Sequence, residues 1–259
     1  MFRPEDSLID QSLRSRLGET TTNGDGFGVG WYGEGAEPAV YKGIEPAWND
    51  KNLREIAGQV RTSRLLAHVR ASTGTAVQRS NCHPFRHGRW LWVHNGALRG
   101  FSEIRRDLLM AVDPGLFSDI EGSTDSEMMF FLALTFGLEH DPPGAVARMV
   151  GLVERTGRRQ GVEYPIQMTV AVTDGRRLWA FRYSSQGASR SLYYSTRIET
   201  LRALHPDVGF LRHISDDTRL VVSEPPGDLP GAWNQVPESS YGVVHQGADE
   251  LHTFTPAAG

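Results

Sequence analysis

Residues 166–172 set large apolar side chains (Ile166, Met168, Val170, Val172) in alternation with Gln167, Thr169 and Ala171. A period of two puts one set on each face of a pleat, so this run predicts a half-buried strand. Asp174-Gly175 then turns the chain into a second apolar run at residues 178–183, the pattern of a hairpin. Further strands are predicted at residues 192–195, 220–223 and 241–245. Toward the amino terminus, residues 26–32 read as a glycine-rich strand, with Gly33-Glu34-Gly35 as its turn and residues 39–42 as its partner. Residues 65–69 and 90–94 read as strands too.

Helical spacing appears between these blocks. Asp50 is placed to cap a short helix whose apolar face is Leu53, Ile56, Ala57 and Val60. Residues 104–112 carry a weaker helical pattern, and residues 128–134 are apolar nearly all round, which predicts a helix buried on most sides. Val146, Met149, Val150 and Val153 share one face of a third helix at residues 145–153. Hairpins at both ends with helices between them predict an α+β fold of antiparallel sheets covered by helices. No βαβ series, repeat or domain boundary interrupts residues 1–259, which read as a single domain. Residues 224–231, rich in proline and glycine, read as a surface loop.

Composition narrows the class. Hydrophobic residues make up 39% and charged residues 22%, the balance of a globular chain long enough to bury a large core. The net charge is -4 and no Lys/Arg stripe runs along the chain, so nucleic acid is not an expected partner. The single cysteine, Cys82, excludes an intrachain disulfide and a multi-cysteine zinc site. No apolar stretch reaches membrane-spanning length, and Met1-Phe2-Arg3-Pro4-Glu5-Asp6 is not a signal peptide. The expectation is a cytoplasmic protein without a membrane partner.

Several short motifs have a local reading and a chemical one. Gly28-Val29-Gly30-Trp31-Tyr32-Gly33 matches G-x-G-x-x-G, but the glycines lie within a strand and a turn follows, so no helix amino terminus awaits a pyrophosphate. Close approach of another backbone or a ligand explains them better. Thr124-Asp125-Ser126-Glu127 is a capping box in which Thr124 and Glu127 carry the cap. Asp125, in the first turn, is left to receive a ligand ammonium. Arg70 ends a strand ahead of Ser72, Thr73 and Gly74, where the ordinary role is a surface ion pair and the chemical one is capture of a carboxylate. Asn95-Gly96 read alone is a hairpin turn. Cys82 adjoins His83, but neighbours on an extended segment point to opposite faces, which makes His83 a poor base for it. The histidine spacing supports no metal site.

Taken in order, Asn23-x-Asp25-Gly26-x-Gly28, His68-x-Arg70, Asn81-x-His83-Pro84-Phe85, His94-Asn95-Gly96 and Thr124-Asp125-Ser126-Glu127 resemble the class II glutamine amidotransferases, which are N-terminal-nucleophile (Ntn) hydrolases. Val222-Ser223-Glu224-Pro225 and Trp233-x-x-Val236-Pro237 look like the stand-alone branch that hydrolyses γ-glutamyl amides, so the resemblance spans nearly the whole chain. It implies a four-layer αββα sandwich of two antiparallel sheets between helices. It also implies site roles. Arg70, with the Thr73 region beside it, holds the α-carboxylate of glutamine or a γ-glutamyl amide, and Asp125 holds the α-ammonium. The Asn95 amide and the Gly96 N–H form the oxyanion hole. No cofactor or metal is implied, and any transfer of ammonia needs a separate acceptor enzyme.

The family nucleophile is an amino-terminal cysteine that forms a γ-glutamyl thioester. This sequence begins Met1-Phe2 and has no such cysteine, so a strand and connection of about 10–20 residues is expected to be missing relative to the family. Thr20, Thr21 and Thr22 are alternative hydroxyls without a free amino group. Three readings follow: an amidohydrolase whose nucleophile lies outside this sequence, a non-catalytic glutamine or γ-glutamyl binding protein, and a hydrolase that uses Cys82.

Overall fold

The computed structural model describes residues 7–17, 21–72, 74–226 and 229–258. Helix α1 (Leu8–Leu13) precedes strands β1 (Phe27–Trp31) and β2 (Ala39–Gly43), and α2 (Lys51–Gln59) leads into β3 (Leu65–Val69). Strands β4 (Phe85–His87) and β5 (Trp90–Leu98) are followed by helices α3 (Phe101–Met110), α4 (Asp125–Thr135) and α5 (Pro142–Arg159). Strands β6 (Ile166–Thr173), β7 (Leu178–Ser184) and β8 (Tyr193–Ser195) come next, then α6 (Ile198–Leu204). The chain closes with β9 (Val221–Val222), β10 (Trp233–Gln235), β11 (Ser240–Val244) and β12 (Glu250–Thr253).

The strands form a six-stranded sheet of order β12-β11-β7-β6-β5-β4 and two three-stranded sheets, β2-β1-β3 and β10-β8-β9. Every pairing is antiparallel. Helices α3, α4 and α5 cover one face of the large sheet. Trp92 of β5 stacks on Phe130 of α4 with ring centroids 5.7 Å apart, in a core that also takes in Ile104, Leu108, Met149 and Val170. All of α4 from Ser126 to Leu134 is buried, as its unbroken apolar run predicts. On the far side, Ile9 of α1 and Leu53 of α2 pack with Phe27 and Val29 of β1, while Ile198 and Leu201 of α6 pack with Leu211 and Ala232. The result is the expected αββα layering. Among the described residues, no helix is long and apolar enough to cross a membrane.

The glycines of β1 set the gap between the layers. A Cβ on Gly28 would lie 2.1 Å from the carbonyl oxygen of His83, and one on Gly30 would lie 2.8 Å from a Leu91 methyl. Phe27 and Val29 point the other way, into the α1–α2 core. The motif is therefore a steric solution to sheet-on-sheet contact, as its placement within a strand suggests.

Two local readings give way to longer-range contacts. Asn95-Gly96 is not a turn: β5 runs straight through it, pairing Asn95 with Thr169, Gly96 with Met168 and Leu98 with Ile166. The positive φ of Gly96, +150°, serves close packing, because a Cβ there would meet the Gln167 carbonyl oxygen at 2.0 Å. Residues 224–231 are not wholly a surface loop. Glu224 is buried, and its carboxylate accepts the Arg16 N–H at 3.0 Å, the Leu17 N–H at 2.9 Å and the Ser15 hydroxyl at 2.7 Å.

Candidate active site

Strand β3, strand β5 and the amino terminus of α4 converge on one cavity of about 190 Å³, whose lining includes Arg70, Asn95, Gly96, Asp125, His68 and Arg190. The four described residues that the resemblance singles out thus share one cavity. Thr73 lies outside the described residues, as do Met1 to Asp6 and Thr20.

Arg70 follows β3 directly and is 4% exposed, so it is not a surface ion-pair residue. Its Nη1 donates to the Asp25 carbonyl oxygen at 3.2 Å, and its Nη2 donates to the Thr75 hydroxyl at 2.7 Å and the Ser72 hydroxyl at 3.1 Å. The Asp25 carboxylate is engaged elsewhere, accepting the Ser72 N–H at 2.7 Å. Every partner of the guanidinium is neutral. Among the described residues no carboxylate pairs with it, and a buried unpaired charge is costly enough to call for an anion.

Asp125 mirrors this arrangement with the opposite sign. Its carboxylate accepts the Leu98 N–H and the Ser126 N–H, each at 2.8 Å, and no cation of the described residues pairs with it. The Leu98 bond ties α4 to β5 and the Ser126 bond caps the first turn, so Asp125 carries a structural role that the sequence assigns to Thr124 and Glu127. The capping box is half made. Thr124 accepts the Glu127 N–H at 3.2 Å, but the Glu127 carboxylate turns back to the N–H groups of Glu121 at 3.1 Å and Gly122 at 2.8 Å.

Three histidines wall the cavity. Burial pushes His68 down to about 3 and also lowers His83 and His94, so all three are neutral near pH 7. His94 Nε2 faces the Gln167 carbonyl oxygen at 3.4 Å, and Nδ1 lies 2.7 Å from the Ser126 hydroxyl. A carbonyl only accepts, so Nε2 bears the proton and Ser126 donates to Nδ1. His68 and His83 lie with ring centroids 4.2 Å apart. His68 Nδ1 and both His83 ring nitrogens are sealed from solvent without a partner among the described residues. No three His, Cys, Asp or Glu side chains of the described residues converge to hold a metal ion.

Cys82 stands apart. It is fully buried, its thiol lies 3.5 Å from the Gly43 carbonyl oxygen, and burial raises its pKa. It lines neither cavity, and a sealed thiol is an inert one.

The second cavity, about 720 Å³, continues from the first through His68, His94, Asn95 and Ser223. Ala67 and His68 of β3 line it on one side, and Val221 and Val222 of β9 on another. β3 and β9 are each the terminal strand of a three-stranded sheet. Among the described residues, two terminal strands therefore border one largely apolar space beside the polar site.

Opposed charges and a strand-borne Asn-Gly pair thus share one cavity within an αββα fold. The chain belongs to the class II glutamine amidotransferases, whose family model (Glutamine amidotransferases class-II) matches residues 6–257. It is similar to the Saccharomyces cerevisiae protein named "Probable glutamine amidotransferase DUG3", with 32% identity over 97% of this chain and 79% of that protein. It is also similar to the Mycolicibacterium smegmatis gamma-glutamyl-hercynylcysteine sulfoxide hydrolase, with 25% identity over 91% of this chain and 84% of that one. Among solved structures, a glutamine aminotransferase class-II domain protein from Silicibacter pomeroyi superposes with a TM-score of 0.73 at 34% identity, covering 89% of this chain and 92% of that one.

Proposed function

We propose that this site binds the γ-glutamyl group of glutamine or a γ-glutamyl amide, and that the γ-amide is cleaved through a thioester on an amino-terminal cysteine lying outside these 259 residues. The observation that carries the reading is the pair Arg70 and Asp125, which line one cavity, are held among the described residues by neutral groups only, and are unpaired with each other. That is the complement of a zwitterion: a planar fork for the carboxylate and a fixed anion for the ammonium. Asn95 and Gly96 then lie where the γ-carbonyl arrives. Two such donors aimed at a tetrahedral oxyanion contribute about 10²–10³ each in rate.

Chemistry follows from that placement. A cysteine thiolate, its proton taken by its own amino group, adds to the γ-carbonyl carbon, and the oxygen takes the negative charge against Asn95 and Gly96. Collapse expels ammonia or an amine, which carries that proton away, and water then cleaves the γ-glutamyl thioester. The apolar space between β3 and β9 is the natural seat for a strand bearing that cysteine, because each is the terminal strand of its sheet among the described residues. A γ-glutamyl conjugate larger than glutamine is a substrate class in keeping with the name of the Mycolicibacterium smegmatis relative, a gamma-glutamyl-hercynylcysteine sulfoxide hydrolase.

The binding half of the reading is tested on this chain. L-Glutamine should bind with roughly millimolar affinity, near -4 kcal/mol. Asp125→Asn should weaken binding by at least about tenfold, the loss of one charge-assisted bond, and Cys82→Ala should leave it unchanged. The Asp125 variant should also lose about 1–3 kcal/mol of stability, because one amide oxygen cannot serve both Leu98 and Ser126. Calorimetric titration beside a urea melt separates the two effects. Parent-like affinity in Asp125→Asn would show Asp125 to be structural only.

A further inference from the structure

The sequence motifs leave out Arg190, which lies on the connection between β7 and β8 and reaches the Asn95 side chain. Its Nη1 donates to Asn95 Oδ1 at 2.8 Å, and its Nε donates to Gln167 Oε1 at 3.4 Å. A guanidinium has no acceptor, so the Asn95 atom it meets must be the oxygen. The amide orientation is thereby fixed. Asn95 Nδ2 faces away from Arg190, finds no acceptor among the described residues, and belongs to a side chain that lines the cavity.

The connection that carries Arg190 is itself braced. Arg182 on β7 donates from Nε to the Arg190 carbonyl oxygen at 3.0 Å and from Nη1 to the Val236 carbonyl oxygen at 2.6 Å. Glu238 accepts the N–H groups of Ser184 and Ser189, each at 3.1 Å. Gln167 Nε2 closes the loop onto β6 by donating to the Ala188 carbonyl oxygen at 3.1 Å. Precise donors need locked supports, and these contacts lock the arm that holds Arg190.

We propose that Arg190 is a positioning residue of the oxyanion hole, holding the Asn95 amide with its N–H donors toward the substrate γ-carbonyl. Its charge also polarises the amide, because a donor whose own carbonyl is engaged by a cation is a stronger donor. The proposal rests on the reading of Asn95 as an oxyanion donor. It gives Arg190 no contact with substrate and leaves the α-carboxylate to Arg70.

The test compares two probes on the 259-residue chain: L-glutamine, and L-norvaline, which keeps the α-ammonium and α-carboxylate but has no γ-oxygen. Arg190→Ala should weaken L-glutamine binding by about three- to tenfold, the range of one hydrogen bond. It should leave L-norvaline binding and the melting midpoint near the parent's. Arg190→Gln, which can donate to Asn95 Oδ1 without the charge, should recover part of the loss. In an Asn95→Ala background, Arg190→Ala should have no further effect. If Asn95→Ala lowers L-glutamine affinity and Arg190→Ala does not, the positioning role is wrong and the oxyanion reading stands. If Asn95→Ala leaves the ratio of the two probes unchanged, the oxyanion reading itself falls. Equal losses for both probes in Arg190→Ala would reduce Arg190 to a structural residue.

Discussion

Arg70→Met should abolish measurable capture of L-glutamine, a loss of at least about 100-fold, while Arg70→Lys should recover only part of it. Truncating one side of a buried charge pair typically costs about 2–5 kcal/mol, and here the ligand carboxylate would be left in the cavity facing neutral groups. Lysine restores the charge but not the fork, and it cannot hold the Asp25, Ser72 and Thr75 oxygens in the same geometry. The three oxygens sit on polar backbone and hydroxyl groups next to the cavity, so rehydration limits the accompanying loss of stability. Titration of both variants with L-glutamine, alongside their urea midpoints, separates binding from folding. Parent-like affinity in the methionine variant would remove Arg70 from the site.

The protein should also lose stability steeply as the pH falls below about 6.5. His68, His83 and His94 are all held below 6.5 by burial, His68 down to about 3. Below pH 6.5 the unfolded chain binds protons that the folded chain refuses, so stability is full above that value and falls through the window beneath it. His68 contributes a slope of about 1.4 kcal/mol per pH unit inside its window, and His83 and His94 act with the same sign. Glu127, whose carboxyl is raised by burial, carries the opposite sign and offsets part of the loss at lower pH. Urea midpoints between about pH 7 and about pH 5 should therefore fall sharply, and His83→Gln should flatten the fall. An unchanged slope in that variant would show His83 to be solvated in solution.

The sequence was legible where burial follows a local period. The alternation at residues 166–172 and the unbroken apolar run at 128–134 reappear as β6 and the buried stretch of α4. Asp50 caps α2 as its position suggests, accepting the Leu53 N–H at 2.7 Å. What escaped is short or long-range. Strand β12 is exposed at all four of its residues and so lacks an apolar signature, while β10 is three residues long and α6 is seven. Asn95-Gly96 carries a strong local turn signal, yet eight pairs with β6 outweigh it. Arg190 and Glu224 act across 95 and 208 residues of chain respectively, separations at which no spacing rule reports contact. Residues that sit in ordered motifs and meet in one cavity, such as Arg70, Asn95 and Asp125, could be picked out from the sequence. Their supports could not.

Electrophile trapping tests the central claim most directly. The protein purified from its native cell would be incubated with a γ-diazoketone analogue of glutamine, which alkylates a nucleophile placed at the γ-carbonyl position, and the adduct located by mass spectrometry of peptides. The account predicts a single adduct, on an amino-terminal cysteine, blocked by excess L-glutamine and formed at least about tenfold more slowly in Asp125→Asn. An adduct on Cys82, or stoichiometric binding of the analogue with no adduct on any residue, would contradict it.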